Sequence, residues 1–183
     1  LYSFNGPQSL FIDIMMNTRL LFRAHELGAD EALYRKAVTH ARTTEKYLVR
    51  KEGPRLMDHE GMVIHEAIFN PVRGEFRNLS TQQGYSPFTC WARGLAWAMY
   101  GFTDTYLFTR DPFFLETAER CAGYYLENTP DGGVPYWDYG APNIPNEPVD
   151  SSAAAIAAGA FWKLKDIEGA RRGAATYRQA ALT

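Results

Sequence analysis

Cysteine is nearly absent: of 183 residues only Cys90 and Cys121 carry a thiol. Neither has a partner at CxxC spacing, which excludes a disulfide framework and gives no expectation of a bound metal or cofactor. The compartment stays open between cytoplasm and periplasm. Long apolar runs are absent too. No stretch approaches the roughly 18 consecutive apolar residues that a membrane-spanning helix requires. Charge of one sign is missing as well, since the formal net charge is −2 and no Lys/Arg block occurs. A nucleic acid or an anionic membrane is therefore not expected as a partner. An initiator Met and a signal-like leader are lacking before Leu1, so the chain reads as the interior of a longer protein.

What is present is apolar and aromatic. Hydrophobic residues make up 46% of the chain and aromatics 14%, enough for a sizeable core in one domain. Trp and Tyr recur in polar surroundings, which suits a sugar-binding cleft as well as a core. Small neutral or acidic ligands remain open.

The apolar spacing is helical almost throughout. From Ser9 to Leu27 the run is apolar on nearly every side, which predicts a helix buried between neighbours. Gly28 ends it, and Asp30 is placed to cap a second, amphipathic helix that closes before Gly53-Pro54. Thr89 to Thr109 and the stretch after Arg110, with Asp111 as cap and Pro112 in the first turn, repeat the arrangement. Ser151 to Ile167 and Ala170 to Leu182 make a third pair. LYRKA (33–37), FLETA (114–118) and TYRQA (176–180) recur early in each second helix. Repeated hairpins with a buried first helix and a solvated second helix predict an all-α fold, an (α/α)6 toroid. Three hairpins are half a ring, so residues 1–183 read as one incomplete toroid domain. A plain helical bundle is the alternative.

Two long connections interrupt the hairpins. Within residues 53–88, MVIHEAIF is strand-like and Asn70 to Gly74 turn-like, which predicts a small β-hairpin. The second connection, TPDGGVPYWDYGAPNIPNEPVD, is rich in Pro, Gly and Asn, and within it Trp137 and Asp138 are expected to shape the loop. Long loops at one end of a rigid scaffold tend to carry binding chemistry. The cleft is expected there, near the N-termini of the first helices, where Asp13, Thr89 and Ser152 fall.

Asp13 stands out because it interrupts the apolar run SLFIDIMMNTRLLFRA, and an ionised carboxylate buried alone is costly. Arg93 shares a helical face with Thr89, Trp97 and Tyr100 at 100° per residue. An aromatic ring one turn from an arginine offers a uronate a stacking surface and a forked donor. An internal Asp13–Arg93 ion pair with Trp97 in the core is the alternative reading. Trp91 points away from Arg93 on a helical wheel, leaving packing and an indirect loop contact both open.

SLFIDIMMN, STQQGYSPFTCWARGLAWAMYGF, DGGVPYWDY and DSSAAAIAA, in this order over nearly the whole chain, resemble the unsaturated glucuronyl hydrolases, glycoside hydrolase family 88. The related unsaturated rhamnogalacturonyl hydrolases of family 105 are similar in fold but less so in the aspartate motif. The resemblance implies removal of a 4,5-unsaturated uronate from the non-reducing end of lyase-generated oligosaccharides, by hydration of the C4=C5 double bond. It implies Asp13 as general acid and base. It implies His65 near the bound uronate, though a histidine there could equally bond a backbone carbonyl. Gln83, Arg93 and Trp97 match further lining positions, and Trp91 is the remaining candidate.

The chain departs from the family pattern in reading SPFT after QGY, where the family is more acidic, and in carrying Leu95 where the family has Gln. A second aspartate expected in an HD-containing motif before SLFID has no counterpart, and Asp58 in DHEGM does not replace it. A non-catalytic carbohydrate-binding toroid is the alternative from another class; it would have lost the acid, the arginine and the aromatic platform, all of which are present.

Overall fold

The computed structural model describes residues 6–51, 59–167 and 173–183; the expectations for Gly53-Pro54, Asp58 and the start of the last helix at Ala170 lie outside them. Among the described residues six α-helices appear: α1 (Met15–Glu26), α2 (Glu31–Leu48), α3 (Ala92–Thr109), α4 (Pro112–Asn128), α5 (Ser151–Ile167) and α6 (Ala174–Leu182). They pack as three hairpins, α1 on α2, α3 on α4 and α5 on α6, with α3 also against both α1 and α5. The first helices thus lie side by side and the second helices back them. LYRKA, FLETA and TYRQA each begin at the third residue of a backing helix, so the sequence repeat is a structural one.

The helix boundaries follow local chemistry. Gly28 takes φ +95° directly after α1, a conformation that costs glycine little. Asp30 accepts from the Ala32 N–H at 2.7 Å and Asp111 from the Phe113 N–H at 3.1 Å, capping α2 and α4 as their sequences predict. Helix α3 is the most enclosed, with Leu95, Met99 and Phe102 shut off from solvent. It approaches α1 closely because Gly101 has no side chain: a Cβ there would lie 2.5 Å from the Met15 Cβ and 2.7 Å from its carbonyl oxygen.

Two expectations for the first helix are corrected. Ser9–Phe11 forms a strand, β1, followed by a single 3-10 turn over Ile12–Ile14, and only then does α1 begin. An apolar run has no period to tell strand from helix, and here pairing with a distant segment decides. β1 pairs antiparallel with β2 (Glu66–Phe69), Phe11 opposite Glu66, and β2 pairs with β3 (Phe76–Ser80). The predicted hairpin is therefore present, but as part of a three-stranded sheet. Nor is α1 buried all round. Met15, Thr18 and Phe22 face the core while Leu20 is 69% exposed, because α2 and α3 cover only one side.

Candidate active site

The sheet brings Asp13 to His65. The Ile12 N–H donates to the His65 carbonyl at 3.1 Å, so the turn after β1 is tied to the residue before β2. Their side chains then meet, with Asp13 Oδ2 3.4 Å from His65 Nε2. Both atoms are closed to solvent, and neither makes a hydrogen bond among the described residues, so the contact is a close polar approach and not a formed bond. The Asp13 side chain as a whole is 29% exposed. Asp13 is thus not sealed inside a helix, as its sequence setting predicted. It lies at the junction of strand and helix, one oxygen turned inward to histidine and the rest open.

His65 is held on every side. Its ring stacks on Phe11 (centroids 4.9 Å apart, 22° between planes) and meets Trp91 edge-on at 5.0 Å. The Gln82 N–H and the Thr81 hydroxyl each lie 3.1 Å from Nδ1. The histidine does not merely serve a backbone carbonyl; its ring faces a carboxylate on one side and a built hydrogen-bonding loop on the other.

That loop, residues 81–90, is fastened by Asp138. Its fully buried carboxylate accepts from the Tyr85 N–H (2.9 Å), the Thr89 hydroxyl (3.0 Å) and the Gly140 N–H (2.9 Å). Glycine in QGY has a steric reason: a Cβ on Gly84 would lie 2.9 Å from Thr81 Oγ1, 3.1 Å from Asp138 Oδ2 and 3.3 Å from the Trp91 Cβ. The two long connections are thereby joined, and backbone bonds from Ala92 N–H to Trp137 and from Tyr139 N–H to Cys90 complete the seam.

Trp91 precedes α3 in extended conformation (φ −66°, ψ 123°), so the helical wheel that turned it away from Arg93 does not apply. The Arg93 guanidinium lies over its indole, 4.9 Å from the centroid. Arg93 Nη1 donates to the Ser152 hydroxyl at 3.1 Å and its Nε is 3.7 Å from Asp150. The Asp13–Arg93 ion pair considered from sequence is not what forms; Asp150 is the partner. Asp150 also accepts from the Ala153 N–H at 3.0 Å, capping α5.

Asp13, His65, Trp91 and Arg93 therefore form one contiguous row. Trp97, half-buried one turn beyond Arg93, stacks on no other ring among the described residues, and Gln83 is exposed beside Gln82. Sequence reasoning missed Thr81, and gave Asp138 and Asp150 no part in holding the site residues. An aspartate before SSAAAIAA was a readable capping signal; the bond from Thr81 to His65 had no local signal. Among the described residues no three His, Cys, Asp or Glu side chains converge as metal ligands would, and no helix is long and apolar enough to cross a membrane. Cys90 and Cys121 are free and buried, and burial pushes the Cys121 thiol up to about 12. A cavity of about 520 Å³ between α4 and α6, lined by Tyr125, Thr129 and Gln179, contains none of the site residues.

Paired inner and backing helices, with the long loops gathered where the inner helices begin, define an α/α-toroid architecture. No family model matches the chain. It is 39% identical over 157 residues to an unsaturated glucuronyl hydrolase of Formosa agariphila, covering 85% of this chain and 37% of that protein. Identity is 35% over 154 residues to the unsaturated glucuronyl hydrolase of Bacillus sp. strain GL1, covering 84% and 38%. To an unsaturated chondroitin disaccharide hydrolase of Streptococcus pyogenes serotype M1 it is 32%, covering 81% and 35%.

The crystal structure of the Bacillus sp. GL1 enzyme, responsible for glycosaminoglycan degradation, superposes with a TM-score of 0.88 at 30% identity, covering 98% of this chain and 46% of that one. A Streptococcus agalactiae variant complexed with dGlcA-GalNAc6S superposes with a TM-score of 0.77 at 30% identity, covering 93% and 44%. In sequence and fold the chain is similar to the unsaturated glucuronyl hydrolases, and it spans between a third and a half of the length of these relatives.

Proposed function

We propose that the protein carrying this chain removes a 4,5-unsaturated uronate from the non-reducing end of oligosaccharides produced by polysaccharide lyases, and that residues 1–183 supply three hairpins of its toroid. The observation that carries this reading is the arrangement of Asp13: a carboxylate with one oxygen against His65, its side chain otherwise partly open, in a row with an arginine and an indole. One carboxylate suffices for vinyl ether hydration, whereas hydrolysis at the anomeric carbon calls for two facing each other across the bond.

In the proposed reaction Asp13 gives a proton to C4 as the π electrons of C4=C5 form the new C–H bond. Positive charge develops at C5 and is shared with the ring oxygen. Water, losing a proton to the same carboxylate, adds at C5. The resulting hemiketal opens to a ketone, and the hemiacetal left at C1 releases the rest of the oligosaccharide. Arg93 is assigned to the uronate carboxylate and the half-buried Trp97 to its ring, with Gln83 as further lining, while the buried Trp91 backs Arg93. The Arg93 fork is suited to this because Asp150 and Ser152 fix its orientation before substrate arrives.

The test is a chemical one. An unsaturated uronyl disaccharide should lose the ultraviolet absorbance of its conjugated double bond on incubation with the protein. Binding without that loss would leave a carbohydrate-binding module instead of an enzyme.

A further inference from the structure

We propose that Thr81 is a positioning residue for this reaction: together with the Gln82 amide it holds His65 as the neutral ring protonated on Nε2, so that the ring N–H is turned toward Asp13 Oδ2 and Asp13 works through Oδ1 alone. The inference rests on the assignment of Asp13 as acid and base, and adds which oxygen acts and what determines it.

The direction of each hydrogen bond follows from what each group is able to do. The Gly84 N–H donates to Thr81 Oγ1 at 2.8 Å. A hydroxyl that accepts in this way still has its own proton to give, and His65 Nδ1 lies 3.1 Å away. The Gln82 amide, also 3.1 Å from Nδ1, has no acceptor role to switch to. Two donors thus converge on Nδ1, which must be the unprotonated nitrogen of a neutral imidazole, and the ring proton sits on Nε2. Nε2 lies 3.4 Å from Asp13 Oδ2, both atoms closed to solvent and neither hydrogen-bonded elsewhere among the described residues, so Oδ2 is the acceptor nearest to the ring proton although the bond is not formed in this geometry. The ring is not free to turn over, being stacked on Phe11 and set edge-on to Trp91.

The consequence is an asymmetric carboxyl group. Oδ2 faces a fixed donor, so a proton on that oxygen would oppose the histidine N–H. Oδ1 therefore carries the proton that passes to C4, and Oδ1 receives the proton that water loses as the O–C5 bond forms. His65 keeps its proton throughout both steps. The supporting loop is built for this: Asp138 anchors Tyr85 beside Gly84, and the space between Thr81, Asp138 and Trp91 is too small for a side chain at position 84.

The experiment combines nitrogen-15 NMR of the His65 ring with steady-state kinetics of Thr81→Val and Thr81→Ser. Expected are a native ring protonated on Nε2, a fall in kcat of about tenfold for Thr81→Val at nearly unchanged KM, the scale of one hydrogen bond, and recovery in Thr81→Ser. A native ring protonated on Nδ1, native kcat in Thr81→Val, or a loss that Thr81→Ser does not restore would each overturn the proposal. Because the NMR signal needs no turnover, it separates this inference from the activity itself. An Asp13→Asn variant with native turnover would sink the assignment of Asp13, whereas an inactive Asp13→Asn with an Nδ1-protonated His65 would sink only the role of Thr81.

Discussion

The Arg93 guanidinium carbon lies 4.9 Å from the centroid of the Trp91 indole, and the same guanidinium donates to Ser152 and approaches Asp150. Three side chains thus converge on one planar cation. Lysine would keep the charge but lose both the stacking plane and the fork. For Arg93→Lys, KM for an unsaturated disaccharide should rise about five- to tenfold with little change in kcat, measured by initial rates. Unchanged kinetics with a lowered melting temperature would give Arg93 a purely structural role.

Asp13→Asn nearly preserves shape, and the amide fits the same place beside His65, so the fold should persist. The amide does not cycle between acid and base. Turnover should fall by about two orders of magnitude or more, read from the decay of double-bond absorbance. Near-native turnover would remove Asp13 from the chemistry.

Asp138→Ala tests the loop seam. It would leave two backbone N–H groups and the Thr89 hydroxyl without their buried acceptor. The expected loss is roughly 3 kcal/mol of stability, measured by urea denaturation. Because Tyr85 adjoins Gly84 and Gly84 bonds Thr81, activity should decline even at temperatures where the variant remains folded.

Much of the scaffold was legible because its signals are local. Asp30, Asp111 and Gly28 act within a turn of their own positions, and the repeated hairpins follow from periodicity. Asp13 was legible as an oddity, a carboxylate in an apolar run, but its surroundings were not: Ser9–Phe11 becomes a strand only by pairing with Glu66–Ile68. Trp91 was misjudged for a related reason. A helical wheel assumes helix, and the chain at Trp91 is extended and bridged to Asp138. Thr81 sits sixteen residues from His65, and no spacing rule links a loop hydroxyl to a histidine before a strand.

His40 gives stability a pH dependence of known sign. Burial, with Nε2 enclosed and unpartnered among the described residues, lowers its pKa from 6.5 to about 4. Between those values the unfolded chain binds the proton and the folded chain does not. Stability from this group is therefore complete above pH 6.5 and is lost as pH falls toward about 4. His40→Gln should flatten that part of the profile, read from urea midpoints across the window. An unchanged slope would assign the acid sensitivity to other groups.

Isotopic labelling separates hydration of the double bond from ordinary glycoside hydrolysis. If Asp13 protonates C4, the proton has exchanged with solvent, so reaction in deuterated water should place deuterium at C4 of the released uronate. Water adding at C5 should leave the oxygen of labelled water at C5. A hydrolase attacking the anomeric carbon through two carboxylates would put that oxygen on C1 and leave C4 unlabelled. It would also cleave a saturated glucuronide, which has no double bond to protonate and should be inert here. Absence of deuterium at C4, or rapid cleavage of the saturated analogue, would show the assigned chemistry wrong, since neither outcome is reachable from a cation formed at C5 by protonation of C4.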